Sequence, residues 1–167
     1  MKHFLLSAAF GFGFVTHALA DAAYFHERGN WSVFNLTKSC VATSRPAIET
    51  NVSPYMALNL LYELESKDVS VAAYFWPDAF EAGDQMTLGI RPLSGPDVIE
   101  IPATAQEHYL IKTDRALSRE EIKLLGDNDA LIVFAGGSSV QMAVEMDPNL
   151  RTLVFDLRSC GRFVEGR

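Results

Sequence analysis

The chain has 167 residues, about one domain's length, with 49% apolar residues, 21% charged residues and a formal charge of −7; that mix excludes a disordered acidic polymer and predicts a packed core. The balance of 14 basic against 21 acidic side chains suits the phosphate backbone of nucleic acid poorly, so no nucleic-acid partner is expected. Two cysteines are too few for a four-cysteine zinc site or a disulfide-dense scaffold.

Residues 1–20, MKHFLLSAAFGFGFVTHALA, read as a secretory leader. Lys2 supplies the positive start, an apolar stretch runs from Phe4 to about Val15, and Ala18-Leu19-Ala20 is the small-x-small pattern a signal peptidase cuts. Thr16 and His17 end the apolar run short of the roughly 20 residues a spanning helix needs. Cleavage after Ala20 is expected, with no membrane span afterwards and a periplasmic or secreted location. Export gives the cysteines a meaning. Cys40 and Cys160 stand near the two ends of the mature chain, and in an oxidising compartment they read as one structural disulfide. They lack the C-x-x-C spacing of a redox pair.

Along the chain, residues 21–30 read as a flexible lead-in. Trp31 and Val33 begin a strand with Ser32 on the opposite face, and Cys40–Ser44 pairs back with it. Pro46 to Pro54 is a loop. Tyr55 to Leu64 is long for a strand, and its composition also permits a helix; the two tyrosines and the Ser66-Lys67-Asp68 turn favour the strand. It forms a hairpin with Val69–Phe75, where Val69, Val71, Ala73 and Phe75 alternate with Ser70, Ala72 and Tyr74. Gly83-Asp84 turns the chain into Gln85–Arg91, a half-buried strand with Met86, Leu88 and Ile90 on one face. Val98–Ile101 and His108–Ile111 are short strand candidates.

One helix is predicted, over 118–125. Ser118 followed three residues later by Glu121 is a capping box, Leu117 and Ile122 are placed as a hydrophobic staple, and Gly126 is the stop. Strands then resume. Ala130–Phe134 is an apolar run, Gly136-Gly137 a turn, and Val140, Met142 and Val144 alternate on the return. Asp147-Pro148-Asn149 turns again, and Leu150–Leu157 is expected as the last long strand. The sum is an all-β, mainly antiparallel domain over 31–167, a β-sandwich or partly open barrel of about 9–10 short strands with one short helix.

This order of features resembles the invasion-associated locus B family of exported alphaproteobacterial proteins. The residues that carry the resemblance are Trp31-Ser32-Val33, Cys40-Val41-Ala42, the capped Leu117–Gly126 segment, Asp129–Phe134 and Thr152–Leu157. It spans nearly the whole mature chain. Family members commonly carry further cysteines in mid-domain, which this chain lacks. The resemblance implies a small exported β-sandwich and, by analogy, a part in cell-surface interaction.

Catalytic constellations are sparse. His26 and His108 show no H-E-x-x-H or related spacing, so no metal ligand, cofactor or catalytic residue is assigned. Ala135–Ser139 lacks the G-x-S-x-G order of a nucleophile elbow and reads as a hairpin turn. Gly126–Asp129 lacks the register of a calcium loop. Tyr74-Phe75-Trp76-Pro77 and Phe80 gather rings near one strand end. Alternation turns Phe75 inward and Tyr74 and Trp76 outward, so Tyr74, Trp76 and Phe80 are the candidate contacts for a protein or glycan partner in the envelope. Two functions compete: a non-catalytic exported binding domain, which is preferred, and a small exported hydrolase, glycan-directed, whose carboxylates converge only in the fold.

Overall fold

A computed structural model of the chain describes residues 25–44, 56–75 and 79–166. The leader at 1–20, the loop between Pro46 and Pro54, and Trp76 lie outside these residues. The described strands are β1 (Phe25–Arg28), β2 (Trp31–Asn35), β3 (Ser39–Ser44), β4 (Ala57–Glu63), β5 (Val69–Tyr74), β6 (Gln85–Pro92), β7 (Ile99–Glu107), β8 (Leu110–Thr113), β9 (Ala130–Ala135) and β10 (Gln141–Glu145). Among the described residues two helices accompany them, α1 (Arg119–Leu125) and α2 (Leu150–Glu165).

All strand pairings are antiparallel, in one sheet of order β1-β2-β3-β4-β5-β8-β7-β6-β9-β10. The first five strands form a meander. The next three are laid down in reverse, so that β8 closes against β5 and β6 is left to receive β9. The sheet curls until its two ends touch at one corner. There the Asn30 amide donates to the carbonyl of Asp147 at 2.8 Å, and Asn30 Nδ2 to Glu145 Oε2 at 2.7 Å. The result is a partly open barrel.

Alternation supplies the interior. Leu58, Leu60 and Tyr62 of β4 point inward, as do Ile99, Ile101, Ala103 and Ala105 of β7, and Leu88 and Ile90 of β6. Small inward residues such as Ala42, Ala73 and Ala135 leave room for Trp31 and Phe75, both fully buried. Gly89 faces Phe134 across β6 and β9, and a Cβ there would come within 2.2 Å of the ring. The phenyl group thus occupies the space that a side chain at 89 would need.

Two expectations are revised. The lead-in of 21–30 contains β1, paired with β2 through Phe25↔Phe34 to Arg28↔Trp31. An edge strand packs on one neighbour only, so the polar sequence FHER can form one without apolar alternation. Gly29, at φ +54°, supplies the tight turn between the two strands. The larger revision is at the C-terminus, where Leu150–Glu165 is a helix and not a strand. Its buried residues are Leu150, Leu153, Val154, Asp156, Leu157, Cys160 and Gly161, a period of three to four and not two. A strand would have put Leu153 and Val154 on opposite faces; here both are buried. Asn149 caps the first turn, its side chain accepting from the Thr152 amide at 3.0 Å.

α2 packs on β2, β3 and β4, and three features seat it there. Cys160 is bonded to Cys40 of β3, with a Cα–Cα distance of 6.2 Å across a separation of 120 residues. Gly161 lies under Tyr62, where a Cβ would approach the ring to 2.5 Å. Buried Asp156 pairs with Arg28 of β1 at 3.2 Å. The bridge therefore joins a strand to a helix. α1 follows expectation: Ser118 Oγ accepts from the Glu121 amide at 3.1 Å, and the Ser118 amide donates to Glu121 Oε2 at 2.7 Å. No helix among the described residues is long and apolar enough to cross a membrane.

Candidate functional site

The outer face of β4, β5, β8 and β7 gathers the groups best suited to recognition. Register sets its rows. Ala57, Tyr74, Leu110 and Glu107 lie opposite one another across four strands, and Asn59, Ala72, Lys112 and Thr104 form the next row. Tyr74, at the end of β5, stacks on Tyr109 from the β7–β8 turn, with centroids 6.0 Å apart and ring planes at 20°. Glu107 sits beside both. Burial first, then the Glu107 charge, raises the Tyr74 hydroxyl above its usual range. The Tyr109 hydroxyl is raised chiefly by its hydrogen bond to Glu107. Both phenols therefore stay neutral donors under physiological conditions. Tyr109 is 42% exposed.

Beyond Lys112 the same face opens into a shallow polar depression of about 210 Å³, lined by Glu63, Asp68, Ser70, Lys112, Asp114 and Arg115 among others. Glu63, Asp68 and Asp114 are the carboxylates on its lining. Glu63 pairs with Lys112 at 3.5 Å, and Asp114 Oδ1 accepts from Thr104 Oγ1 at 2.7 Å. Ser70 Oγ is buried at its edge without a hydrogen-bond partner among the described residues.

Arg115, on the rim, forms a two-pronged pair with Glu121 at 2.6 and 2.8 Å. The Arg115 hydrogen bond, helped by the Ser118 amide, holds the Glu121 carboxyl at about 2. A depressed folded-state value means stability that is fully present above the ordinary carboxylate range and is lost as pH falls through it toward about 2. With the guanidinium nearly half exposed, solvent screening limits the effect to about 1–2 kcal/mol. Urea unfolding of the wild type and of Glu121→Gln should therefore differ by this amount at neutral pH and converge between pH 4.5 and about 2. A gap that persists unchanged into that acid range would reject the assignment.

The rings expected at the surface divide. Tyr74 is half-buried on the outer face. Phe80 is a correction: it is 8% exposed and packs edge-on against Phe75, centroids 5.8 Å apart, as part of the core. The turn at 79–80 brings it back over the strand end, where the Ala79 and Phe80 amides donate to the His108 carbonyl at 3.0 and 3.2 Å. The His108 ring, through Nδ1, bonds the Phe80 carbonyl at 3.0 Å. Its role is to hold this corner. His26 accepts from Arg28 Nε at 3.3 Å. Ser138 sits in the hairpin turn, its hydroxyl accepting from the Val140 amide at 2.9 Å.

Sequence reasoning missed Tyr109, Glu107 and Lys112. They join Tyr74 only because β8 pairs with β5 across two intervening strands in the chain, a contact that no local pattern encodes.

No family model and no curated protein matches the chain. Among solved structures, the crystal structure of invasion associated protein B from Bartonella henselae matches with a TM-score of 0.54 at 12% sequence identity, covering 82% of this chain and 99% of that chain. The two share a fold.

Proposed function

We propose that this chain is an exported, disulfide-bonded β domain that works by binding at the cell envelope and not by catalysis, with its recognition surface on the outer face of β5 and β8. The observation that carries the proposal is the Tyr74–Tyr109 stack bordered by Glu107 and the polar depression. Neutral phenols beside a carboxylate offer apolar ring faces together with donors and acceptors, the mixture that protein and glycan partners both use. Three facts support the envelope setting: the leader-like residues 1–20, the buried Cys40–Cys160 bridge, which persists in oxidising compartments, and the fold shared with invasion associated protein B. Trp76, next in the chain to this face, is kept from the sequence as a further contact; Phe80 is withdrawn to the core.

The test is affinity capture from native envelope extracts with the wild type and with Tyr74→Ala/Tyr109→Ala, followed by mass-spectrometric identification and glycan analysis of what is retained. Loss of two aromatic anchors should cut retention of the specific partner by at least tenfold. The variant must first show an intact disulfide and a cooperative melt. Retention equal to that of the wild type would move recognition off this face.

A further inference from the structure

The polar depression beside Lys112 has two walls of different charge. One comes from the end of β4, the β4–β5 turn and the start of β5, and carries Glu63, Asp68 and Ser70. The other comes from the end of β8 and the segment after it, and carries Lys112, Asp114 and Arg115. The first wall thus offers two carboxylates and a hydroxyl. The second offers two cations, and its one carboxylate already accepts from Thr104 through Oδ1. Hydrogen bonds fix the walls to each other: the Val71 amide donates to Thr113 Oγ1 at 3.1 Å, and the Leu117 amide to the Val69 carbonyl at 2.8 Å. Among the described residues the ion pair that crosses between them is Glu63–Lys112, and at 3.5 Å, with both side chains more than a third exposed, it yields to a competing partner at little cost. Ser70 is different. It is 8% exposed, yet its hydroxyl, on the pocket lining, has no hydrogen-bond partner. A buried hydroxyl left unpaired carries a desolvation cost that a ligand atom placed against it recovers.

We infer that this depression binds a small zwitterion, an α-amino acid with its ammonium and its carboxylate both free. An ammonium has three donors and no acceptor, which suits Asp68 and Ser70 Oγ on the acidic wall. The carboxylate suits Lys112 on the opposite wall, with the Arg115 guanidinium adding to the field there. A lone cation would meet Lys112 and Arg115, and a lone anion would meet Glu63, Asp68 and Asp114. A ligand with both charges on neighbouring atoms complements each wall at once. The space agrees. About 210 Å³ is less than the roughly 300–1,000 Å³ of pockets for drug-sized ligands and several times the roughly 30 Å³ of one water, which fits an amino acid with a short side chain. The inference deepens the reading of this face by giving the depression its own ligand, while the envelope partner is left to the tyrosine stack.

The test is isothermal titration calorimetry of the purified, disulfide-bonded protein with L-serine, whose short hydroxyl side chain suits the polar lining. Serinamide keeps the ammonium and loses the carboxylate; N-acetylserine does the reverse. Serine should bind with a millimolar dissociation constant or tighter, and each blocked form at least about tenfold more weakly. Ser70→Ala should weaken serine binding about tenfold and leave the melting midpoint at or above the wild-type value, because the hydroxyl it removes has no partner in the fold. Lys112→Met should weaken serine binding by a similar factor and shrink the advantage of serine over serinamide, since the group that reads the carboxylate is gone. Lys112 lies at the surface, so this variant keeps the comparison readable if Ser70→Ala melts early. No serine binding at millimolar concentrations, a blocked form that binds as tightly as serine, or unchanged affinity in either variant would each overturn the inference. Each of these outcomes leaves envelope capture, which reads the tyrosine stack, to stand or fall on its own result.

Discussion

Replacing Cys40 and Cys160 together with alanine should lower the unfolding free energy by about 4–5 kcal/mol. The bridge closes a loop of 120 residues, nearly the whole folded body, so its removal returns a large share of conformational freedom to the unfolded chain. Both sulfurs are fully buried, and the double alanine variant also loses their packing between β3 and α2. At roughly 3 °C per kcal/mol for a domain of this size, the melting midpoint should fall by about 12–15 °C. Wild-type protein unfolded under a thiol reductant should follow the variant's curve, because both then lack the same cross-link. A variant that melts with the oxidised wild type would show that the loop-closure effect is offset in the native state, and would remove the bridge from the account of stability.

Trp31→Ala should be comparably damaging, at about 4 kcal/mol. Trp31 is fully buried in β2, and its indole N–H reaches the Glu145 carbonyl at the end of β10, 3.4 Å away. It thus ties the second strand of the sheet to the last, across the corner where the curled sheet meets itself. Gly29 makes the close approach possible, since a Cβ there would fall 2.0 Å from the Asp147 carbonyl oxygen. Trp31→Ala leaves a large cavity at this corner and removes the indole donor. Trp31→Phe retains most of the ring volume and should cost less, about 1–2 kcal/mol, mainly from the lost hydrogen bond and imperfect fit. Equilibrium urea unfolding of the three proteins tests the order. Equal losses for alanine and phenylalanine would mean that the hydrogen bond and not the filled volume dominates the corner.

Both changes act on closure, through α2 on one side and through the β2–β10 corner on the other. α2 also explains the main mismatch between expectation and fold. Leu150, Leu153, Val154 and Leu157 satisfy a helical period as well as part of a strand alternation, and eight residues are too few to separate the two when Thr152 and Asp156 count as tolerable on either face. The window to 165 would have favoured the helix, because Cys160, Gly161 and Val164 continue the same face. Asn149 also supplies an N-cap, so the turn Asp147-Pro148-Asn149 doubles as a helix start. For Phe80, alternation says nothing once the strand has ended; its burial depends on a turn held by His108.

What the sequence by itself determined is the local and periodic part: the β4–β5 hairpin, the half-buried β6, the β9–β10 return and the capped α1, each set by side-chain alternation, turn residues or a reciprocal pair of hydrogen bonds within a few positions. The bridge between Cys40 and Cys160 was also legible, because a chain with two cysteines has one intramolecular pairing. Tertiary structure alone decided that β8 returns to β5, that Tyr109 and Glu107 thereby meet Tyr74, that the sheet curls until Asn30 reaches Asp147, and that Ser70 and Lys112 line one depression. Those outcomes depend on which distant surfaces bury one another, and burial between remote segments is a property of the assembled body, selected by shape and apolar area and not by neighbours along the chain.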